Sequence, residues 1–95
     1  MSGLKFEWDR AKAVDNFCKH RVSFEEAQTV FDDANRRTQY DHEHSAVEDR
    51  WRVVGFSAKL RLLSVVYTRR NETTIRIISA RRATQAESSR YALEV

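Results

Sequence analysis

Apolar and polar residues alternate at the start of the chain. In LKFEW (4–8), Leu4, Phe6 and Trp8 stand against Lys5 and Glu7, the period-2 pattern of a half-buried strand. Asp9 then occupies an N-cap position ahead of a helix predicted over residues 10–21, with Val14, Phe17 and Cys18 on its apolar stripe. A second helix starts at SFEE, where Ser23 and Glu26 have the spacing of a capping box and Phe24, Ala27, Val30 and Phe31 recur on one face. FDDANRRT breaks that helix. Strand-like runs follow at 36–40, 50–57, 61–69 and 73–81, joined by polar turns at 57–60 and 70–73. Thr84 and Glu87 repeat the capping-box spacing and open a short terminal helix. The predicted order is β-α-α-β-β-β-β-α. It belongs to the α+β class, with helices covering one face of a mainly antiparallel sheet in a single domain, 1–95.

Charge changes this picture by its distribution. Residues 1–49 carry a net charge of −4, residues 50–82 carry +8 and residues 83–95 carry −1. The sheet-forming half is therefore basic enough to attract polyanions. Period-2 alternation gives each strand a partly cationic face: Arg50 and Arg52 on 50–57, Arg61 and Arg69 with Tyr67 on 61–69, and Arg76 on 73–81. Arg50, Arg52, Tyr67, Arg69 and Arg76 form the expected polyanion-binding surface, on a side of the sheet free of helices. Arginine outnumbers lysine thirteen to four, and its planar fork grips phosphate in two places and stacks on bases where lysine offers a point charge.

The junction TIRIISARRATQAE (73–86) places Arg81 and Arg82 at the end of a strand and just before a capped helix start, both of which favour an anion. A phosphate grip is the functional reading. The structural one is that either arginine pairs with Glu87. DHEHS (41–45) is the second cluster. Its histidines would lie on one side of an extended segment, as a solvated loop, as a metal site lacking an obvious third ligand, or as a source of general acid or base. His20, near the end of the first helix, suits the helix dipole. Gly55 within a strand marks a bulge, a close ligand approach or a packing contact.

Other chemistry is excluded by composition. There is no proline, the only glycines are Gly3 and Gly55, and Cys18 is the one cysteine. Phosphate-cradling glycine loops, internal disulfides, nucleophilic triads and zinc-finger spacings are thus missing, and a lone core cysteine fits the cytoplasm. No apolar run approaches the length of a membrane span and no signal-peptide pattern is present, so neither a membrane nor a cofactor is expected.

Several stretches together resemble the BrnT family, the toxin half of a bacterial toxin–antitoxin pair with a RelE-like fold: FEWD…K at 6–12, KHRVSFEEAQTVFDD at 19–33, DHEHS at 41–45, EDRWRVVGFS at 48–57 and IRIISARRAT…E at 75–87. The resemblance implies a ribonuclease that shuts down translation. It also implies a cognate antitoxin of ribbon-helix-helix type, BrnA-like, that reaches operator DNA only through the complex. It carries over Trp8, Asp9, Lys12, His20, His44, Ser45, Arg81 and Arg82 as motif positions. The chain departs from the family pattern at Arg10, where proline is frequent, and at Arg21, where glycine is common. The expectation is a metal-independent endoribonuclease in which the RNA's 2′-hydroxyl is the nucleophile. Arg81 and Arg82 would stabilise the phosphate and His44 would serve as general acid or base. A non-catalytic basic module binding nucleic acid or an acidic protein is the alternative.

Overall fold

The computed structural model describes residues 3–94; Met1, Ser2 and Val95, the ends of the predicted 1–95 domain, lie outside the described residues. The elements run β1 (Lys5–Glu7), α1 (Arg10–His20), α2 (Phe24–Gln28), a 3-10 turn (Thr29–Asp32), β2 (Arg37–Tyr40), a second 3-10 turn (His42–His44), β3 (Trp51–Phe56), β4 (Leu62–Arg69), β5 (Thr74–Arg82) and α3 (Gln85–Glu94). The sheet order is β1-β5-β4-β3-β2. All pairings are antiparallel except β1 with β5, so the sheet is mixed.

The core lies between the sheet and α2 with its following turn. Phe24, Ala27, Val30 and Phe31 pack on Val53, Leu63, Val65, Tyr67, Ile75, Ile77 and Ala80. The face predicted for the second helix is therefore the buried one, although the helix tightens to 3-10 geometry at Thr29. Ser23 caps it by accepting from the Glu26 N–H at 3.0 Å. Glu26 does not complete the capping box. Its buried carboxylate accepts from Ser57 Oγ at 2.7 Å and from the Arg61 guanidinium instead. At α3 the box is reciprocal: Thr84 N–H donates to Glu87 at 2.9 Å and Glu87 N–H to Thr84 Oγ1 at 3.1 Å.

The first helix departs from its predicted orientation. Val14 is 61% and Phe17 44% exposed, and Cys18 is also exposed rather than a core residue. Asn16 is buried in their place. β1 covers only Thr74–Arg76 of β5, leaving the outer edge of β5 beyond it without a strand. Asn16 fills part of that gap, its amide donating to the Ala80 and Val22 carbonyls at 2.9 and 3.0 Å while its oxygen accepts from Ala80 N–H at 3.1 Å. Satisfying those buried backbone groups outweighs burying the apolar stripe. α1 ends at Arg21, which takes the left-handed conformation (φ 59°) that favours glycine at this position; its guanidinium lies 5.7 Å over the Phe17 ring.

The register of β4 with β5 slips between Val66 and Tyr67, leaving Ile78 as an extra residue on β5. This is the bulge of the sheet, and it does not involve Gly55. Gly55 is instead a packing contact: a Cβ there would stand 3.0 Å from Val30 Cγ1, 3.1 Å from Arg36 Cβ and 3.1 Å from Asp33 Oδ2. Asp33 cannot easily withdraw, because it also accepts from Phe56 N–H and Tyr91 Oη. Gly55→Ala is expected to destabilise the chain by about 1–3 kcal/mol through overpacking, read as a lower urea midpoint. An unchanged midpoint would mean that the turn after α2 yields freely.

Candidate functional site

The second face of the sheet carries the cations in transverse rows set by strand register. One row holds Arg37, Val54, Ser64 and Arg81; the next holds Gln39, Arg52, Val66 and Ser79. A third continues through Arg50, Thr68 and Arg76 toward Asp41, whose N–H donates to the Arg50 carbonyl at 2.8 Å. This face is not free of helices. α3 lies across its first row, with Tyr91 edge-on to Phe56 at 5.5 Å and Glu87 bound to Arg81. Between α3 and the β2–β3 edge runs a groove of about 240 Å³ lined by Arg37, Gln39, Arg52, Glu87, Arg90 and Tyr91.

Three of the arginines on this face are already ion-paired. Arg81 donates both terminal nitrogens to Glu87 at 2.9 and 3.1 Å, Arg76 reaches Glu7 at 3.1 Å and Arg50 reaches Glu48 at 3.2 Å. Burial disfavours the Glu87 charge. The bonds from Arg81 and the Thr84 N–H, with the field of Arg52, outweigh it and hold the carboxyl at about 2. Glu87 is therefore a fixed anion at neutral pH. Arg52 differs from the other three: it donates to the hydroxyl of Ser64 at 2.6 Å and to no carboxylate among the described residues. Its field reaches Asp41 on one side and Glu87 on the other.

DHEHS forms a 3-10 turn, not an extended segment. Ser45 ties it: its hydroxyl donates to the Asp41 carbonyl at 2.5 Å and accepts from the Arg50 N–H at 3.0 Å. An aromatic run continues from the core to this turn, Phe31 to Tyr67 to Trp51 to Tyr40 to His42, with centroid separations of 4.7–5.9 Å. His44 is 58% exposed, and its Nδ1 lies 3.0 Å from Asp41 Oδ2. Burial opposes the charge on Asp41, but the bonds from His44 and the field of Arg52 hold its pKa below the usual carboxylate value. An ionised Asp41 can only accept, so Nδ1 carries a proton, and Nε2 makes no hydrogen bond among the described residues. Ligand atoms of Asp41, Glu43 and His44 lie within 4.8 Å of one another, the only set among the described residues with metal-ligand composition at that range.

The predicted site residues are thus dispersed. Tyr67 is withdrawn from the basic face: it points to the helix side, is 5% exposed and packs on Phe31 and Trp51. Burial raises its pKa. Arg69 shares the Tyr67 side at the end of β4 and donates to the Glu72 carbonyl at 3.1 Å. Arg81 and Arg82 diverge, since consecutive strand residues face opposite ways and only Arg81 joins the Ser64 row. The pairing of Arg81 with Glu87, named above as the structural alternative, is what is found. His44 stands at the other end of the face. By strand rise and spacing, Asp41 is about 13 Å along and about 14 Å across from Arg81. Arg37, Gln39, Arg90 and Glu87 were missed as groove residues. Period 2 on β2 (Arg37, Gln39) and helical spacing on α3 (Glu87, Arg90, Tyr91) were the available signals.

A sequence profile of the family described as ribonuclease toxin, BrnT, of type II toxin–antitoxin systems matches residues 8–87. The chain belongs to this family. Membership makes it a ribonuclease toxin by family and implies an antitoxin partner. The fold is that of the Brucella abortus ribonuclease toxin BrnT, solved at 1.1 Å, with a TM-score of 0.66 and 21% identity over 86% of this chain and 99% of that one. No curated protein matches the chain. Among the described residues no helix is long and apolar enough to cross a membrane.

Proposed function

We propose that the chain is a metal-independent endoribonuclease acting in the cytoplasm, with RNA laid across the second sheet face and Arg52 at its centre. The observation that supports this is the charge geometry. Arg52 and Arg90 converge on one groove, also lined by Arg37, whose only carboxylate among the described residues, Glu87, is bound to Arg81. Fixed guanidinium charge supplies the stabilisation of a phosphorane that a divalent ion supplies in other nucleases. The RNA's 2′-hydroxyl attacks the adjacent phosphorus and the P–O5′ bond breaks, leaving a 2′,3′-cyclic phosphate and a 5′-hydroxyl. His44, oriented by Asp41, exchanges the proton through Nε2. Arg52 faces the scissile phosphate beside that dyad. Arg81, Arg37 and Arg90 hold a neighbouring phosphate, a division that the distance between His44 and Arg81 requires. Loss of translation follows from RNA cleavage, and a ribbon-helix-helix antitoxin that alone contacts operator DNA neutralises it. The fold that carries this site is RelE-like.

End-labelled RNA incubated with the chain in EDTA, with and without translating ribosomes, tests the reading. Cyclic-phosphate and 5′-hydroxyl ends are expected. Arg52→Ala should slow cleavage by about 10²–10³, the cost of removing one preorganised charge donor. Arg81→Ala should slow it less, since both of its terminal nitrogens already serve Glu87. Intact RNA under both conditions, with salt-dependent binding, would favour the basic binding module. Cleavage only on adding a divalent ion would move Asp41, Glu43 and His44 into a metal site.

A further inference from the structure

The apolar stripe of α1 faces out, and it is held there. Asn16 makes three hydrogen bonds to the backbone of Val22 and Ala80 on the inner side of the helix. Rotating the stripe inward would break all three and leave buried backbone groups unpaired. Val14 and Phe17 are therefore exposed by construction. Cys18 and Ala11 extend the exposed surface, and Arg10 and Arg21 stand at its two ends at helical spacing. Arg21 lies over the Phe17 ring, and neither arginine bonds to a carboxylate among the described residues. The one acidic residue of the helix, Asp15, is taken by Lys19 at 3.1 Å. An apolar patch rimmed by cations is a docking surface for an apolar partner with acidic borders.

We propose that this stripe is where the antitoxin docks, through an amphipathic helix whose apolar face meets Val14 and Phe17 and whose flanking carboxylates meet Arg10 and Arg21. The occupant follows from the patch together with the family, which supplies a protein partner. α1 lies along the outer edge of β5, whereas the arginine groove lies toward the β2–β3 edge of the sheet, so the antitoxin is anchored away from the groove. The proposal depends on an antitoxin being present and not on the assignment of catalytic residues.

Cys18 is the chain's only cysteine and sits within the patch, so it reports occupancy directly. The chain, co-expressed and co-purified with its cognate antitoxin, is treated with a maleimide and compared with the free chain by mass. Cys18 should react at least about tenfold more slowly in the complex. Val14→Asp should weaken the antitoxin by about a hundredfold or more, as for a central interface anchor, while RNA cleavage by the free variant and its circular dichroism stay unchanged. Arg90→Ala, in the groove, should leave antitoxin affinity within about threefold. Full Cys18 reactivity in a stable complex would overturn the docking surface and leave the nuclease reading untouched. So would loss of the antitoxin in Arg90→Ala but not in Val14→Asp. Protection that grows with the concentration of the free chain would assign the stripe to a second copy instead. Failure to form any complex would remove the partner, and with it the proposal, whatever the cleavage assay shows.

Discussion

His44→Ala is expected to lower the rate of RNA cleavage by about 10²–10⁴, the range for loss of a positioned general acid or base. RNA affinity should change little, because the proposed mechanism assigns phosphate binding to the arginines and not to this side chain. Stability should also hold. The turn carrying His44 is built by Ser45 and by the pairing of Asp41 N–H with the Arg50 carbonyl, neither of which uses the imidazole. Asp41→Asn separates orientation from proton transfer: an amide still holds the ring but no longer fixes which nitrogen carries the proton, so a smaller loss is expected. The measurement is single-turnover cleavage at saturating RNA, beside a binding isotherm for each variant. A His44→Ala enzyme within tenfold of the parent would place the proton transfer elsewhere and leave Arg52 as the main contributor. A loss of affinity parallel to the loss of rate would make His44 a binding residue.

The single-domain α+β organisation was legible because strand and helix periods, capping residues and turn residues all agree along the chain. Phe24, Ala27, Val30 and Phe31 were recognisable as a buried face for the same reason. The site was much less legible, and β5 shows why. Strict alternation would align Arg82, not Arg81, with Arg76, since both are even-numbered. The extra residue at Ile78 reverses the parity, so Arg76 and Arg81 share a face while Arg82 turns away. No local signal marks that bulge: it lies in IRIISA, among residues that all suit a strand. Tyr67 was misplaced by a related gap. Alternation grouped it with arginines at the ends of β4, but only cross-strand register decides which face meets α2. In α1 the apolar residues pointed to one orientation and the unpaired edge of β5 imposed another, a tertiary demand that the helix sequence does not contain. The groove itself depends on α3 crossing β3, and it joins Arg37 and Arg90, which are far apart in sequence.

Glu26→Ala should be the most destabilising of the single substitutions considered, by about 3 kcal/mol. The Glu26 side chain is 2% exposed and closes a network that spans the helix side of the fold. It accepts from Ser57 Oγ and Arg61, and Arg61 in turn donates to the Arg21 carbonyl at 3.0 Å. Removing the carboxylate leaves the Arg61 charge without its partner beneath the β3–β4 hairpin, and breaking such a pair from one side costs about 3–5 kcal/mol. Arg61 is about a quarter exposed, so water can recover part of that loss and the lower end applies. Against a total stability of about 5–15 kcal/mol for a domain of this kind, the fall in urea midpoint should be unmistakable. The bond from Arg61 holds the Glu26 pKa below its usual 4.5, burial opposing it. A depressed folded-state pKa means that this contribution is complete above 4.5 and fades as the pH drops through the lowered value. Urea midpoints measured from pH 7 down to pH 3 should therefore fall on the acid side in the parent and fall less steeply in Glu26→Gln. Replacing both partners, as Glu26→Met with Arg61→Leu, should restore much of the stability, because no unpaired charge remains. If the single and double variants prove equally unstable, packing and not the stranded arginine is what Glu26 provides.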